Sequence, residues 1–493
     1  MSDIKISNIS ENITEKTREN TKKNTKENTG ENTRENTREN KVITFGCRLN
    51  AYESEAIKEA IKDVDLKEDN QNLLVFNSCA VTSQAERDLR QSLRRARKDN
   101  PHAKIVVTGC AAQIDPQRYA KMAEVDLVLG NQEKSKSESY IDGFVDANVI
   151  AQDINADSDI AHKDKIFFET KKSSQAFLTA EETSKIKVND IMSLKDTAPQ
   201  LVSYFENQTR AFLEIQNGCN HRCTFCIIPF GRGNSRSVGF GDIVDQVKKM
   251  VAAGHQEVVL TGVDISDYGK DLAAPITLLQ MIRRLLKLVP ELPRLRLSSI
   301  DVAEIDDDIF DLLRSEPRFM PYLHLSVQSG DNVILKRMKR RHNREQVLEF
   351  CQKTRMIRPE ITFGCDIIAG FPTEDENMFN NSLNLIKEAG IIFTHIFPYS
   401  KRDGTPAAKM PAVDGGIVKE RARLLREAGD DQKNKFLNAQ IGKTLSVIVE
   451  KGGIAKSENF LDVIIDGDDI KPGEIIQVEI FGVEDGKLVA KSI

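Results

Sequence analysis

Three closely spaced cysteines are the residues in this sequence best suited to chemistry. Cys219, Cys223 and Cys226 occur in the run C-N-H-R-C-T-F-C, so three soft thiolate ligands can surround one inorganic centre. A structural zinc site needs a fourth ligand, which His221 could supply only by straining the loop. The sequence has no second C-x-x-C or H-x-x-x-H pair to complete a tetrahedron. The spacing therefore favours a [4Fe–4S] cluster with one iron open to substrate, with zinc as the alternative.

Three more cysteines lie nearer the N-terminus, each at the end of an apolar run. Cys47, Cys79 and Cys110 follow KVITFG, LLVFNS and KIVVTG, and a helix-compatible segment comes after each of them. Strands and helices that alternate at this length predict right-handed βαβ units and a parallel sheet. Because the carboxyl ends of parallel strands lie on one edge, we expect these three thiols to converge.

A second series of strands and helices must position the first cysteine group. From Ala211 to about Leu437, six apolar runs alternate with helical segments, and the first run ends just before Cys219. This pattern predicts an α/β fold with a (β/α) barrel, or part of one, whose active face lies at the strand carboxyl ends. The candidate strands are AFLEIQ, EVVLTG, RLRLSS, LHLSV, TFGCDIIAGF and IIFTHIF.

Repeats and composition divide the rest of the chain. Residues 1–40 contain six tetrapeptides of the T-R-E-N type with no net charge and little to bury, which predicts a disordered tail. Residues 41–150 are expected to form the N-terminal βα domain, 151–209 a linker or insertion, and 210–440 the barrel. Residues 441–493 alternate apolar and polar positions between glycine turns, which predicts a small antiparallel β-barrel.

The overall composition excludes several classes of protein. The chain has 493 residues, 40 % of them hydrophobic and 29 % charged, as in a globular protein of several domains. It contains neither a long apolar run nor an apolar signal segment, so we expect no membrane span, a cytoplasmic location and unpaired cysteines. A net charge of -5 means that any nucleic-acid contact must come from local basic patches.

The cysteine spacing after the first barrel strand resembles the radical S-adenosylmethionine superfamily. The resemblance implies that Cys219, Cys223 and Cys226 hold a catalytic [4Fe–4S] cluster whose open iron chelates S-adenosylmethionine. Phe225 matches the aromatic residue that packs near the adenine of this cofactor. Other candidate cofactor-binding residues stand at later strand ends, where a plain strand-end hydrogen bond is the alternative role: Gly262, Asp264, Ser299, Gln328 and Asp366.

Further motifs closely resemble the methylthiotransferases within that superfamily. The N-terminal cysteines lie in T-F-G-C-R-L-N, N-S-C-A-V-T and T-G-C-A-A-Q, and the barrel contains L-S-V-Q-S-G, M-K-R, D-I-I-A-G-F-P and F-P-Y-S-K-R-D-G-T-P-A-A. The match runs from about Lys41 to the end of the chain, except for 153–208. It implies a second [4Fe–4S] cluster on Cys47, Cys79 and Cys110, and a C-terminal TRAM domain that contacts RNA.

The family resemblance also implies a reaction and its partners. One S-adenosylmethionine methylates a sulfur at the auxiliary cluster, and a second yields a 5′-deoxyadenosyl radical that removes hydrogen from an unactivated carbon. An electron donor such as flavodoxin or ferredoxin and a sulfur donor are then required. A basic run could bind tRNA phosphates, or could simply be a solvated helix face: Lys336, Arg337, Lys339, Arg340 and Arg341.

Short motifs favour one substrate within the family. T-F-G-C-R-L-N, H-L-S-V-Q-S-G and F-P-Y-S-K-R most resemble the branch that methylthiolates carbon 2 of N6-threonylcarbamoyladenosine at position 37 of the tRNA anticodon loop. The alternatives within the family are isopentenyladenosine in tRNA and an aspartate of a ribosomal protein. A non-catalytic iron–sulfur or zinc RNA-binding protein is the alternative from another class. Thr373 and Asp403 replace the family's usual Gly and Pro, which puts the shape of two loops in question.

Overall fold

The computed structural model describes residues 40–64, 72–141, 144, 179, 183–194, 209–466 and 470–493. The tail predicted for residues 1–40 lies outside the described residues except for Asn40, as does most of the linker predicted for 151–209. Among the helices of the described part, none is long and apolar enough to cross a membrane.

The N-terminal domain is built on one parallel sheet of five strands, which lie side by side in sequence order. The strands are β1 Lys41–Thr44, β2 Leu73–Ser78, β3 Lys104–Gly109, β4 Leu127–Leu129 and β5 Ile186–Lys187. The first three were predicted, whereas β4 and β5 are too short to show a periodicity. Helices cover both faces, so every residue of β2 is buried. These helices are α1 Arg48–Ile61, α2 Ser83–Asp99, α3 Cys110–Ile114, α4 Pro116–Ala120 and α5 Ser137–Ile141.

Helix α1 joins the N-terminal domain to the next one. Ile57 and Ile61 on one side of the helix pack with the buried strands of the N-terminal sheet. Tyr52 and Ala56 on another side belong to the hydrophobic core of the following domain. Because one helix contributes to two cores, the two domains share a continuous apolar contact directly behind Cys47.

The second domain is an open half-barrel, which confirms the prediction of a partial (β/α) barrel. Its strands are β6 Arg210–Asn217, β7 Arg236–Ser237, β8 Glu257–Gly262, β9 Arg294–Leu297, β10 Ser299–Ile300, β11 Tyr322–Gln328, β12 Thr362–Ala369 and β13 Phe393–Pro398. They form two sheets, ordered β7-β6-β8-β9 and β10-β11-β12-β13, and only Ser298 separates β9 from β10. All pairs are parallel except β6 with the short edge strand β7.

Helices cover the outside of the half-barrel and begin at well-defined caps. They are α6 Ile228–Arg232, α7 Phe240–Ala252, α8 Leu278–Leu288, α9 Asp308–Ser315, α10 Asn332–Arg337, α11 Arg344–Ile357, α12 Glu376–Glu388 and α13 Gly415–Asn438. Helix α8 starts with a capping box in which the Thr277 hydroxyl accepts from the Gln280 backbone and the Gln280 side chain accepts from the Thr277 backbone. Asn343 and Gln346 form the same arrangement at the start of α11.

The C-terminal domain is a closed barrel of five strands in the order β14-β15-β16-β18-β17. Its strands are β14 Thr444–Val449, β15 Ile454–Ser457, β16 Asp462–Asp466, β17 Ile475–Glu484 and β18 Lys487–Ser492. Four of them match the apolar runs in the sequence, and β15 was not predicted. The structure confirms the predicted small β-barrel, whose neighbouring strands are antiparallel except for β16 and β18, which are parallel. A closed ring with an odd number of strands cannot alternate direction at every step, so one parallel pair is required.

The C-terminal barrel packs against the amino ends of the half-barrel strands. The Thr362 hydroxyl donates to the carbonyl of Asn459 at 2.6 Å, and the Arg296 guanidinium donates to the carbonyl of Glu458 at 2.9 Å. Phe460, in the turn between β15 and β16, stacks on Tyr322 with ring centroids 4.3 Å apart. The cysteine groups follow the carboxyl ends of the strands, so the C-terminal barrel lies at the opposite end from them.

Candidate active site

A single cavity of about 730 Å³ lies at the carboxyl ends of the strands and brings the two cysteine groups together. Cys47 and Cys79 line it from the N-terminal domain, and Cys219, Cys223 and Cys226 line it from the half-barrel. The sixth cysteine of the two motifs, Cys110, is buried beside Cys79. Five of the six thiols therefore line the same cavity.

The loop that carries Cys219, Cys223 and Cys226 is held by backbone contacts at both ends. Gly218 has a φ of 72°, and a Cβ there would lie 1.9 Å from the carbonyl oxygen of Asn234. Only glycine therefore allows the chain to turn out of β6 at this point. Further along, Thr224 donates through its backbone to the carbonyl of Met338 and through its hydroxyl to that of Arg337.

Polar partners surround Cys219. Its thiol lies 3.6 Å from a carboxylate oxygen of Asp264, and the same oxygen lies 2.8 Å from Nε2 of His221. Nε2 of His221 also lies 3.3 Å from Glu304. Burial raises the pKa of the Cys226 thiol to about 12, and burial together with Asp264 raises that of Cys219. A metal centre that binds here must displace the thiol protons, since the thiolate is the ligand.

The N-terminal cysteines come together through a close approach of two loops. Cys47 is exposed at the start of α1, whereas Cys79 and Cys110 are buried at the ends of β2 and β3. Gly46 has a φ of 106°, and a Cβ on it would lie 2.7 Å from Cβ of Cys79. Burial and then the neighbouring Cys110 raise the pKa of Cys79 to about 11. The predicted convergence of strand-end thiols thus depends on a glycine next to Cys47.

A buried ionic network connects the two cysteine loops. Arg232, at the end of α6, donates to both carboxylate oxygens of Glu53 at 2.7 and 2.9 Å and to the side-chain oxygen of Asn50 at 2.9 Å. Lys134 lies 2.8 Å from the same Glu53 carboxylate. Asn50 in turn donates to the carbonyl of Ser78 and accepts from the thiol of Cys47. The arrangement fixes the position of one cysteine group relative to the other, and the sequence did not predict it.

All six candidate cofactor-binding residues line the cavity: Phe225, Gly262, Asp264, Ser299, Gln328 and Asp366. Sequence reasoning missed Gln216, the buried amide that positions two of them. Its oxygen accepts from the backbone of Val263 at 3.1 Å and of Asp264 at 2.8 Å, and its nitrogen donates to the carbonyl of Gly218. The available sequence signal was a glutamine at the end of the apolar run AFLEIQ.

Asp366 belongs to a polar group on the cavity wall. Nε2 of His324 lies 3.1 Å and Nδ1 of His395 lies 3.3 Å from the same Asp366 oxygen, and the two imidazole rings are 4.9 Å apart. Burial opposes ionisation of Asp366, but the hydrogen bonds from His324 and His395 prevail and lower its pKa. The hydroxyl of Tyr322 reaches the other ring nitrogen of His324 at 3.1 Å. Neither histidine was singled out from the sequence.

The predicted RNA-binding run divides into inward and outward side chains. Arg340 has a largely buried side chain and donates to Asp301 at 2.7 Å and to the thiol of Cys223 at 3.6 Å. Burial opposes ionisation of Asp301, but His342 and then Arg340 lower its pKa to about 2. Arg337 donates to the backbone and hydroxyl of Thr373. The remaining three, Lys336, Lys339 and Arg341, are exposed, and Arg341 is paired with Glu304.

Thr373 shows how one departure from the family motif is accommodated. It has a φ of 70°, the left-handed region that favours glycine. Its backbone donates to the carbonyl of Pro411, and its hydroxyl accepts from Arg337. These hydrogen bonds hold the loop in a conformation that a β-branched residue otherwise avoids.

The donor sets fit iron–sulfur clusters. Each group supplies three soft thiolates, the ligand set of a [4Fe–4S] cluster that keeps one iron for an exogenous ligand. The closest candidate for a fourth ligand, His221, directs Nε2 toward two carboxylates. The second group has three cysteines from three different strand ends, with Cys47 and Cys79 on the cavity wall.

Two family models match the chain over both of these domains. Residues 213–386 match the radical SAM superfamily, and residues 39–130 match a family described as uncharacterized protein family UPF0004. The two matched ranges contain all six cysteines of the cavity motifs.

Curated relatives match most of the chain. A protein of Rickettsia prowazekii (strain Madrid E), named threonylcarbamoyladenosine tRNA methylthiotransferase MtaB, is 50 % identical over 90 % of this chain and 96 % of its own length. A protein of the same name from Aquifex aeolicus (strain VF5) is 35 % identical over 86 % of this chain and 96 % of its own. The tRNA-2-methylthio-N(6)-dimethylallyladenosine synthase of Erythrobacter litoralis (strain HTCC2594) is 30 % identical over 89 % and 94 %.

Proposed function

This chain belongs to the radical S-adenosylmethionine methylthiotransferase family, and we propose that it methylthiolates carbon 2 of N6-threonylcarbamoyladenosine in the anticodon loop of tRNA, at position 37. It is an enzyme, a radical S-adenosylmethionine tRNA methylthiotransferase, and family membership implies a [4Fe–4S] cluster and S-adenosylmethionine. The proposal places the reaction in the cytoplasm, where tRNA is used in translation.

One observation carries the proposal: five of the six motif thiols line one cavity, the sixth is buried beside Cys79, and Arg232 fixes the two cysteine groups to each other. We assign Cys219, Cys223 and Cys226 to the radical cluster and Cys47, Cys79 and Cys110 to the auxiliary cluster. With S-adenosylmethionine, the bound clusters supply one-electron chemistry and a sulfur source. Carbon 2 of adenine has no acidic proton, so a base on the protein cannot activate it and the side chains act by positioning.

The chain's own residues supply that positioning. Gln216 holds the Gly262–Asp264 segment against the first cysteine loop, which fixes the wall where we expect the amino group of S-adenosylmethionine. Phe225 packs edge-on against Phe371 with ring centroids 6.3 Å apart, so its ring presents a rigid apolar surface to the adenine. The remaining strand-end candidates, Ser299, Gln328 and Asp366, face the same space.

Three partners follow from the proposed reaction. The tRNA is the substrate, an electron donor such as flavodoxin or ferredoxin reduces the radical cluster, and a sulfur donor renews the auxiliary sulfur. The anticodon base must enter a cavity lined by both cysteine groups, so the RNA approaches at the carboxyl ends of the strands.

Mass spectrometry of tRNA nucleosides tests the substrate. Cells that lack the gene should lose 2-methylthio-N6-threonylcarbamoyladenosine and keep its unmethylthiolated precursor, and the gene on a plasmid should restore it. Loss of a methylthiolated isopentenyladenosine instead, or unchanged tRNA, would contradict the proposed substrate.

Two cysteine variants test the assignment of the two clusters. We expect Cys223→Ala to lose both 5′-deoxyadenosine formation and methylthiolation, and Cys47→Ala to lose methylthiolation while still cleaving S-adenosylmethionine. Anaerobically reconstituted wild-type protein should hold about eight irons per chain, and the Cys223 variant about four. Cys351→Ala is a matched control, because Cys351 is buried outside the cavity. One zinc and no iron in the wild type would overturn the assignment.

A further inference from the structure

Arg48 is a cation that the described structure leaves without a counter-charge. It follows Cys47, begins α1 and lines the cavity. Among the described residues its guanidinium makes no ion pair and no hydrogen bond, and its contact is with the ring of Phe460, 5.3 Å from the centroid. Burial lowers the pKa of Arg48. Tyr322 is the next largest influence and raises this pKa, whereas Arg210 and Arg296 lower it.

The other cations around Phe460 are neutralised. Four basic side chains contact this ring, and three of them have a carboxylate partner. These pairs are Arg210 with Glu450 at 2.7 Å, Arg296 with Glu257 at 2.8 Å, and Lys456 with Asp462. Arg48 is the member of this group that lines the cavity and has no carboxylate. A cation removed from water without a partner lowers stability, so this position is suited to an anionic ligand.

The acidic side chains of the cavity wall already have partners. Three aspartates line it, and each is engaged by a different basic group. Asp264 lies 2.8 Å from His221, Asp301 lies 2.7 Å from Arg340, and Asp366 accepts from His324 and His395. Within the described part of the cavity, no carboxylate is therefore left for Arg48, and the anion must arrive with a ligand.

We propose that Arg48 binds the carboxylate of the threonylcarbamoyl group of the substrate, an inference that rests on the proposed function. The threonyl part of this modification ends in a free carboxylate, which an isopentenyl group lacks. A guanidinium presents paired N–H donors that match the two oxygens of a carboxylate. The backbone of Arg48 follows Cys47 of the auxiliary site, and its guanidinium reaches the ring of Phe460 at the far end of the cavity. The end of the N6 substituent is therefore held there, while the base lies nearer to the cysteine loops.

Arg48 thereby becomes a specificity-determining residue. In the free enzyme its charge is partly buried and has no carboxylate partner, and binding of the acid offsets the cost of that burial. A neutral substituent leaves the guanidinium buried and unsatisfied, so the site rejects it. S-adenosylmethionine also has a carboxylate that Arg48 could bind. Measuring how tightly wild type and the Arg48 variant bind this cofactor distinguishes its carboxylate from that of the threonylcarbamoyl group.

The experiment compares anticodon stem-loop RNAs that carry N6-threonylcarbamoyladenosine as the free acid or as its methyl ester. Dissociation constants for the reconstituted holoenzyme are measured by fluorescence anisotropy. We expect wild type to bind the acid at least about tenfold more tightly than the ester, the effect of one charge-assisted hydrogen bond. In R48Q the acid should bind as weakly as the ester. R48K keeps the charge without the planar fork, so an intermediate ratio is expected.

R210Q is the matched control, because it removes a second cation from the Phe460 ring outside the cavity, and it should keep the wild-type ratio. Equal binding of acid and ester by wild type would overturn the proposal even if no variant folds. The proposal would also be overturned if R48Q kept the wild-type ratio of acid to ester affinity. The same would hold if R48Q bound S-adenosylmethionine tenfold more weakly while that ratio was preserved. If wild type fails to methylthiolate the acid stem-loop at all, the proposed function itself fails.

Discussion

Arg232 and Glu53 show what a buried charge pair does in this molecule. They are 179 residues apart in sequence, and their hydrogen bonds span the two domains that carry the cysteines. Such a pair adds little net stability compared with apolar packing, but loss of one partner leaves the other charge buried and costs about 3–5 kcal/mol. The value of the pair lies in orientation, since Asn50 and through it Cys47 are held by the same guanidinium.

Glu214 is the unpaired carboxyl in this network, and its ionisation couples stability to pH. Burial and then the neighbouring Glu53 raise its pKa above the ordinary value of 4.5, although Arg232 and Lys134 act in the opposite direction. The folded protein therefore holds this proton more tightly than the unfolded chain does. Stability is largest below pH 4.5 for this group and is lost as pH rises through the raised pKa.

We expect Glu214→Gln to remove this pH dependence, because the amide mimics the protonated acid. Between about pH 5 and pH 8 the free energy of unfolding of wild type should fall by about 2 kcal/mol more than that of the variant. Urea denaturation at the two pH values measures the difference. Glu388→Gln, at an exposed position, is the control and should follow wild type. A parallel decline in wild type and Glu214→Gln would contradict the assignment.

At the residue scale, local sequence patterns identify the cysteines that could bind a cluster, but not the side chains that hold those cysteines in place. The six cysteines could be placed because parallel strands bring their carboxyl ends to one edge. Arg232 looked like any surface arginine, since its partners Asn50 and Glu53 belong to another domain. Arg340 lies in a basic run, yet its side chain points inward because Asp301 and the Cys223 thiol both accept hydrogen bonds from it. Spacing along the chain carries no information on such distant partners.

At the scale of elements, long periodic segments were predictable and short ones were not. All nine strands predicted in the first two domains are present, as is the half-barrel. Strands β4, β5 and β7 have three residues or fewer, and they form only because a neighbouring edge offers hydrogen bonds. β5 lies in the stretch expected to be a linker, and it extends the N-terminal sheet beside β4. Pairing with a distant edge, not local propensity, decides such strands.

Helix α2 presents a basic face next to the cavity. Thr82, which caps the helix, and Ala85 in its first turn line the cavity. Four basic side chains on the helix are exposed: Arg87, Arg94, Arg95 and Lys98. Their charges extend away from the cavity along a helix of 17 residues, about 25 Å long. The helix is therefore better placed than the buried Arg340 to contact the phosphates of an anticodon stem.

Reversal of three of these charges should weaken tRNA binding. We expect Arg87→Glu, Arg94→Glu and Lys98→Glu together to reduce affinity at least about tenfold at low salt. The slope of log affinity against log salt concentration should become shallower by about 2, because fewer counterions are released. The control reverses Lys248, Lys249 and Lys287, which are exposed on α7 and α8. An equal loss in both triple variants would indicate a general effect of net charge.

At the scale of the whole molecule, the C-terminal barrel serves as a base for the half-barrel. It binds the amino ends of β6, β9, β11 and β12, away from the cysteine loops. Its sequence is acidic overall, and Lys456 is buried against Asp462 and Phe460. If this domain contacts tRNA, it does so at a distance from the cavity mouth. Its contribution to the reaction includes support for the floor below Arg48.

Phe460 is the residue on which that support depends. Its ring contacts Tyr322 and Phe393 and lies against four basic side chains. We expect Phe460→Ala to lower the free energy of unfolding by about 2–3 kcal/mol, less than a fully buried phenylalanine would cost, because the ring is half-buried. Phe481→Ala is the control, because Phe481 is exposed on β17 and should cost far less. Urea unfolding followed by circular dichroism measures both, and similar losses would show that Phe460 is not a key contact.

The joint between the two cysteine domains has a consequence for how RNA enters. Helix α1 gives side chains to both cores, and Arg232 seals the joint with a fully buried charge pair. Separation of the domains would expose that apolar surface and leave both charges without partners in a dry interface. We therefore expect the two domains to stay together as one rigid unit rather than to open and close around the RNA. Access to carbon 2 then requires the nucleotide to rotate out of the anticodon stack and to extend into the cavity.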